Sequence, residues 1–180
     1  ASGTLIAENR TTIDDFGYPL DMALSPDGIK MAVSYMRVNG NKISTHIAFY
    51  NFGSAGQMEL NNQVGELNVD DVLAPQIFFC DNSTAVAVRT DGFTVFSGSQ
   101  SPKEKKTVKF DQEIISTFHD GNRIGFVFDG GDSGHKYLMK VYNTGGKNTM
   151  QKYFDLQYNS ITLQKDKIVL FNEKEFAIYK

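Results

Sequence analysis

With 180 residues, a hydrophobic content of 41% and a net charge of −3, the chain has enough apolar material for a packed core. It has no basic excess that would point to nucleic acid as a partner. No apolar run approaches the roughly 18 residues that a membrane-spanning helix needs, and a lone cysteine, Cys80, excludes an intramolecular disulfide.

The chain opens on TLIAENRT (Thr4 to Thr11), whose charged alternation suits an outer edge strand. A strand–turn–strand–loop–strand unit follows, LDMALSPDGIKMAVSYM (Leu20 to Met36) with THIAFYNF (Thr45 to Phe52). Asp27-Gly28 is expected as its tight hairpin turn, with Gly28 at positive φ. GQMELNN (Gly56 to Asn62) is expected as a fourth strand, and Gln63 to Ala74 as an insertion.

The pattern returns in PQIFFCDNSTAVAVRTDGFTVFSG (Pro75 to Gly98), with KKTVKFD (Lys105 to Asp111) as its polar outer strand. It returns again in IISTFHDGNRIGFVFDGG (Ile114 to Gly131), KYLMKVYN and TMQKYFDL, and last in SITLQKDKIVLFNEKEFAIYK (Ser160 to Lys180). The four copies lie near residues 20–62, 75–111, 114–156 and 160–180, with turns at Asp27, Asn82, Gly121 and Lys165. A period of roughly 40 to 50 residues with several strands per repeat is the signature of propeller blades. The reading is a single all-β domain over residues 1–180: a WD-repeat-like β-propeller, either of four blades or a half-propeller fragment of a larger ring.

The second strand of each copy carries apolar residues on both faces, as strands covered on both sides do. The expected core is Phe49, Phe78, Phe79, Val86, Val88, Phe126, Val127, Val169, Leu170 and Ile178.

Chemistry is sparse along the sequence. His46, His119 and His135 share no metal-ligand spacing, and the first two read as surface or strand-end residues. The loop DGGDSGHK gathers Asp129, Asp132, Ser133 and His135, but it lacks the Asp-x-Asp-x-Asp-Gly order and has Lys140 where a calcium loop ends in Glu. No Gly-x-Ser-x-Gly is present. No catalytic residue, metal or cofactor is implied.

Mapped onto blades, the loop ends split by charge. One rim collects an acidic excess, with Asp70, Asp71, Asp91, Glu113, Asp129 and Asp132 as the candidate binding residues. The functional expectation is a non-enzymatic binding or scaffold module whose ligand the sequence does not name. The alternative is an extracytoplasmic hydrolase with a carboxylate pair at the propeller centre. Against it, the first strands read DMALS, QIFFC, ISTFH and SITLQ, with Asp21 as the one carboxylate.

ALSPDGIKMAVSY resembles WD-repeat-like propellers, in which SPDG occupies this turn. The longer stretch "DMALSPDG…AVSY…AFYNFG…GQ", from Asp21 to Gln57, is similar to an uncharacterised family of membrane-anchored proteins from Firmicutes, a domain of unknown function. That resemblance implies a degenerate propeller outside the cytoplasm at the cell surface, held by an N-terminal transmembrane helix. It carries no catalytic residues. Partners then reduce to an unknown protein or cell-surface ligand, with no nucleic acid and no membrane contact except through an anchor. A homodimer is expected if the open ends of a half propeller pair with a second copy.

Overall fold

The computed structural model describes residue 3 and residues 15–53, 63–98 and 102–180. The expected strands at 4–11 and 56–62 lie outside the described residues. Four antiparallel sheets follow one another along the chain, each built from one copy of the repeat.

The first sheet is β1 (Tyr18–Leu24), β2 (Lys30–Asn39), β3 (Lys42–Asn51) and β4 (Gln63–Asp70), in that order. The second is β5 (Gln76–Phe79), β6 (Thr84–Arg89), β7 (Gly92–Ser97) and β8 (Lys103–Lys109). The third is β9 (Ser116–Asp120), β10 (Arg123–Asp129), β11 (Tyr137–Asn143) and β12 (Asn148–Phe154). The fourth has three strands, β13 (Ser160–Gln164), β14 (Lys167–Phe171) and β15 (Phe176–Tyr179). A single 3-10 turn, Gly131–Ser133, is the helical element among the described residues. No helix there is long and apolar enough to cross a membrane.

The sheets group into two compact units, Ala1–Thr107 and Val108–Lys180. In the first, Ala32, Ile47 and Phe49 pack on Ile77, Ala85, Ala87 and Phe96. The Phe49 and Phe96 rings lie 5.2 Å apart. Alanines at the facing positions let two pleated sheets close over this pair of large rings. In the second unit, Phe118, Val127, Met139, Val141 and Phe154 of the third sheet meet Leu163, Ile168 and Leu170 of the fourth. On the other face of the third sheet, Phe110 packs its ring on Phe126, Phe128 and Tyr142 at 4.9, 5.0 and 5.4 Å.

Three expectations are corrected. Residues 63–70 are no insertion: they form β4, the fourth strand of the first sheet, paired along β3 from Ser44↔Asp70 to Tyr50↔Gln63. Among the described residues the strand β14 is covered on one face, where Ile168 and Leu170 are buried, while on the other Val169 is half-buried and Phe171 exposed. Accordingly Ile178, its neighbour on that face, is 54% exposed instead of buried, and Phe79 is half-buried at the end of β5. The other expected core residues are buried.

The Asp27-Gly28 connection is wider than a two-residue hairpin. Residues 25–29 join β1 to β2, and the β-turn inside closes through Gly28 N–H to Ser25 O at 2.8 Å. Gly28 has φ +72°, as expected. The Ser25 hydroxyl donates to Asp27 Oδ1 at 2.5 Å and accepts the Lys30 amide at 2.9 Å. Bonds from Ser25 and then from the Ile29 amide hold the Asp27 carboxyl below its ordinary range. The turns Gly121-Asn122 and Lys165-Asp166 are true two-residue links, with Gly121 at φ +54° and Lys165 at φ +55°.

Candidate functional site

In the first unit the structure brings Asp70, Asp71 and Asp91 to one end. Asp70 closes β4, and Asp71 follows in a left-handed conformation at φ 58°, its amide donating to Ile43 O at 3.0 Å. The segment beyond is fixed from beneath by two buried hydroxyls. Ser34 donates to Ala74 O at 2.6 Å. Thr45 donates to Val72 O at 2.7 Å and accepts the Ala74 amide at 3.0 Å. These bonds satisfy polar groups that would otherwise be costly at such depth. The Thr90 amide, beside Asp91, donates to Leu73 O at 2.8 Å and joins the two loops.

The three acids differ in availability. Arg89, buried at the end of β6, grips Asp91 with two bonds, Nε to Oδ1 at 2.7 Å and Nη2 to Oδ2 at 2.9 Å. This fork is the strong form of the carboxylate–guanidinium contact, so Asp91 neutralises a buried cation. The carboxylates of Asp70 and Asp71 make no hydrogen bond or ion pair among the described residues, and both residues are exposed.

In the second unit Glu113, Asp129 and Asp132 share one end of the third sheet. The antiparallel register Ser116↔Val127 sets the loop before β9 beside the end of β10, and the Ile115 amide donates to Val127 O at 2.8 Å. Asp129 Oδ1 accepts the Gly131 amide at 2.8 Å and so starts the 3-10 turn. Glu113 and Asp132 are exposed. His135 points elsewhere: its Nδ1 lies 2.8 Å from Asp155 Oδ2, and Asp155 Oδ1 accepts the Lys136 amide at 2.9 Å. The His135 bond, then the Lys136 amide, keep the Asp155 carboxyl below its usual range. Among the described residues no group of three His, Cys, Asp or Glu side chains is placed to hold a metal ion.

The carboxylates on the first strands have structural tasks. Asp21 Oδ2 accepts the Ile77 amide at 2.9 Å and Oδ1 the Met22 amide at 2.9 Å, so β1 holds β5. Asp120, at the end of β9, accepts the Lys165 amide at 2.7 Å in the same way. Neither unit pairs two carboxylates on its first strands.

One group departs from its sequence reading. His46 is neither at a surface nor at a strand end; it sits inside β3, opposite Tyr35 and Asn68, and is 1% exposed. Its Nδ1 bonds Asn68 Oδ1 at 2.8 Å, while its Nε2 has no hydrogen-bond partner among the described residues. Burial lowers its pKa. The Glu66 carboxylate 3.8 Å from Nε2 pulls the other way, but it is 57% exposed and its attraction is screened. The polar neighbours Thr45 and Ser44 hid this burial from the sequence.

Comparison with known proteins fixes the fold. The β-propeller domain of the Trilobed protease from Pyrococcus furiosus, described as having an open velcro topology, is similar to this chain at 15% identity with a TM-score of 0.54. The match covers 91% of this chain and 54% of that one, so the chain spans about half the length of that structure. At that identity the likeness shows the fold alone, and the fold is an all-β propeller. No curated protein matches the sequence. One family model matches residues 1–180, and it describes a family of unknown function, DUF5711.

Proposed function

We propose that this chain, which belongs to the DUF5711 family of unknown function, is a non-enzymatic binding module that presents loop carboxylates to a basic partner. One observation supports this reading above the rest. The acids on the first strands, Asp21 and Asp120, are occupied by backbone amides, whereas Asp70, at the end of β4, and Asp71 stand exposed where the chain enters a loop that buried Ser34 and Thr45 hold in place. Loops on a rigid scaffold are where binding function concentrates, and unpaired carboxylates attract basic partners within a Debye length of about 8–10 Å. The resemblance over Asp21 to Gln57 adds a placement to the proposal: the extracytoplasmic part of an anchored cell-surface protein, with a protein or other surface ligand as partner.

A peptide library displayed on phage and selected on the wild-type chain tests the reading. Lys- and Arg-rich peptides should be enriched, and they should bind the Asp70→Asn, Asp71→Asn double variant at least about tenfold more weakly. Enriched peptides indifferent to that variant would overturn it. So would turnover of chromogenic glycosides, which would favour a hydrolase. Surface labelling of intact cells carrying the native protein tests the placement; labelling only after lysis would refute it.

A further inference from the structure

We propose that the cleft between the third and fourth sheets binds a small amphiphilic carboxylate: one anionic head on a short apolar body. The site is separate from the acidic loops and does not depend on the reading above.

The cleft has a volume of about 460 Å³, within the roughly 300–1,000 Å³ range of small-molecule sites. Among the described residues the third sheet has four strands and the fourth has three, and Val141 and Met150, on β11 and β12 of the third sheet, line the cleft. Those two residues with Leu163 and Ile168 form an apolar floor that is buried except for half-buried Met150.

The mouth carries two cationic side chains. Arg123 and Lys180 line it beside one carboxylate, Asp166, and a second, Asp120, stands 3.7 Å from Arg123. Lys180 Nζ sits 3.2 Å from Asp166, but both side chains are mostly exposed, and a pair in water adds little. Among the described residues Arg123 makes only a long ion pair, 3.7 Å to Asp120 Oδ2, and its side chain is 29% exposed. A guanidinium with unused donors beside an apolar floor matches a carboxylate, which accepts two parallel N–H bonds from it. A polyanion fits less well, because Asp166 repels it and the floor cannot solvate it. A neutral apolar molecule would leave the guanidinium without a partner.

Titrations of the ¹⁵N-labelled chain with octanoate, octanol and inorganic phosphate, followed by amide shifts, test the proposal. Octanoate should give saturable shifts around Val141, Leu163 and Ile168 below about 10 mM. Octanol and phosphate should each bind at least about tenfold more weakly. Arg123→Gln should weaken octanoate about tenfold, Met150→Trp should fill the floor and abolish binding, and Asp166→Asn should tighten it. If Arg123→Gln fails to fold, Arg123→Lys keeps the charge without the fork and should lie between it and the wild type. The Asp70→Asn, Asp71→Asn variant should bind octanoate unchanged, so failure of one site does not decide the other. Octanol or phosphate binding as tightly as octanoate, no saturable shift, or an Arg123→Gln variant equal to wild type would each overturn the proposal.

Discussion

The backbone amide of Asp27 donates to the side-chain oxygen of Asn82 at 3.0 Å, tying the turn of the first repeat to the turn of the second. Lys30 Nζ adds a bond to the Asn82 carbonyl at 2.5 Å. The second unit repeats the device with different residues, the Lys165 amide donating to Asp120. In each unit a side chain on one turn receives a backbone donor from the turn of the neighbouring sheet. Asn82→Ala removes the acceptor and should cost about 0.5–1 kcal/mol, at the low end because the bond is exposed. Asn82→Asp keeps an acceptor and should cost less. Urea midpoints of both variants check this, and an Asn82→Ala midpoint equal to wild type would show that the tie adds nothing.

Two glycines are required for different reasons, and single substitutions separate them. A Cβ on Gly28 would touch nothing within 4 Å, so the demand there is its φ of +72° alone. Gly28→Val should cost on the order of 1–2 kcal/mol of backbone strain, and Gly28→Asn distinctly less. Gly125 has no such φ, but a Cβ there would lie 2.1 Å from the Phe118 ring, a ring in the core between the third and fourth sheets. Gly125→Ala should therefore cost about 1–3 kcal/mol by overpacking. A second change that shrinks the ring, Phe118→Leu, should recover part of that loss, whereas no packing change should rescue Gly28→Val.

His46 gives the fold an acid-sensitive point. Burial lowers its pKa in the folded state below the ordinary histidine value of about 6.5. The unfolded chain therefore takes up the proton first. The stability that neutral His46 contributes is complete above about pH 6.5 and is lost as pH falls below that value toward the folded pKa. Urea midpoints should drop between about pH 7.5 and pH 5.5. His46→Gln should flatten that drop, and Glu66→Gln should deepen it by removing an anion that raises the His46 pKa. A midpoint independent of pH over this window would refute the assignment.

Local signals made most of the fold legible. The turns at Gly28, Gly121 and Lys165 and the apolar second strands of the first three sheets are carried by residues adjacent in sequence. The strand β4 was hidden because its alternation is broken. A register shift opposite Phe49 and Tyr50 lets both Val64 and Leu67 reach the same core, although they are an odd number of residues apart. The two-sided reading of β14 failed for a tertiary reason: its apolar residues are real, but only one face is covered among the described residues. At the candidate site, residue type told that Asp70 and Asp91 are both acidic. Only geometry told that Arg89 holds Asp91 while Asp70 has no partner among the described residues. Asp21 stood out in the sequence as the lone carboxylate of the first strands, but its use, a bond to Ile77 across to the next sheet, depends on packing.

Cys80 should be inert in the folded protein. Burial, with a smaller contribution from the Asp81 charge, pushes its thiol up to about 12. The thiolate is the reactive form, so iodoacetamide at about pH 8 should modify the native chain slowly and the urea-unfolded chain fast. Equal rates in the two states would mean that the side chain is open to solvent and unperturbed.

The face of the fourth sheet that no described residue covers leads to the last prediction. The register pairs Phe171 with Phe176 and Val169 with Ile178, which sets four apolar side chains on one face. Phe171, Phe176 and Ile178 are 44%, 70% and 54% exposed. Contiguous exposed apolar surface of this kind favours association, and a second copy offering the same face could bury it symmetrically. Light scattering should therefore show the mean mass rising with concentration toward twice the 20.1 kDa of one chain. The Phe176→Ser, Ile178→Ser double variant removes the most exposed pair without touching the core residues Ile168 and Leu170. It should stay monomeric over the same range and melt no earlier than the dilute wild type. A wild-type mass that does not change with concentration, or a dimer the double variant leaves intact, would show that this face is not where two copies meet.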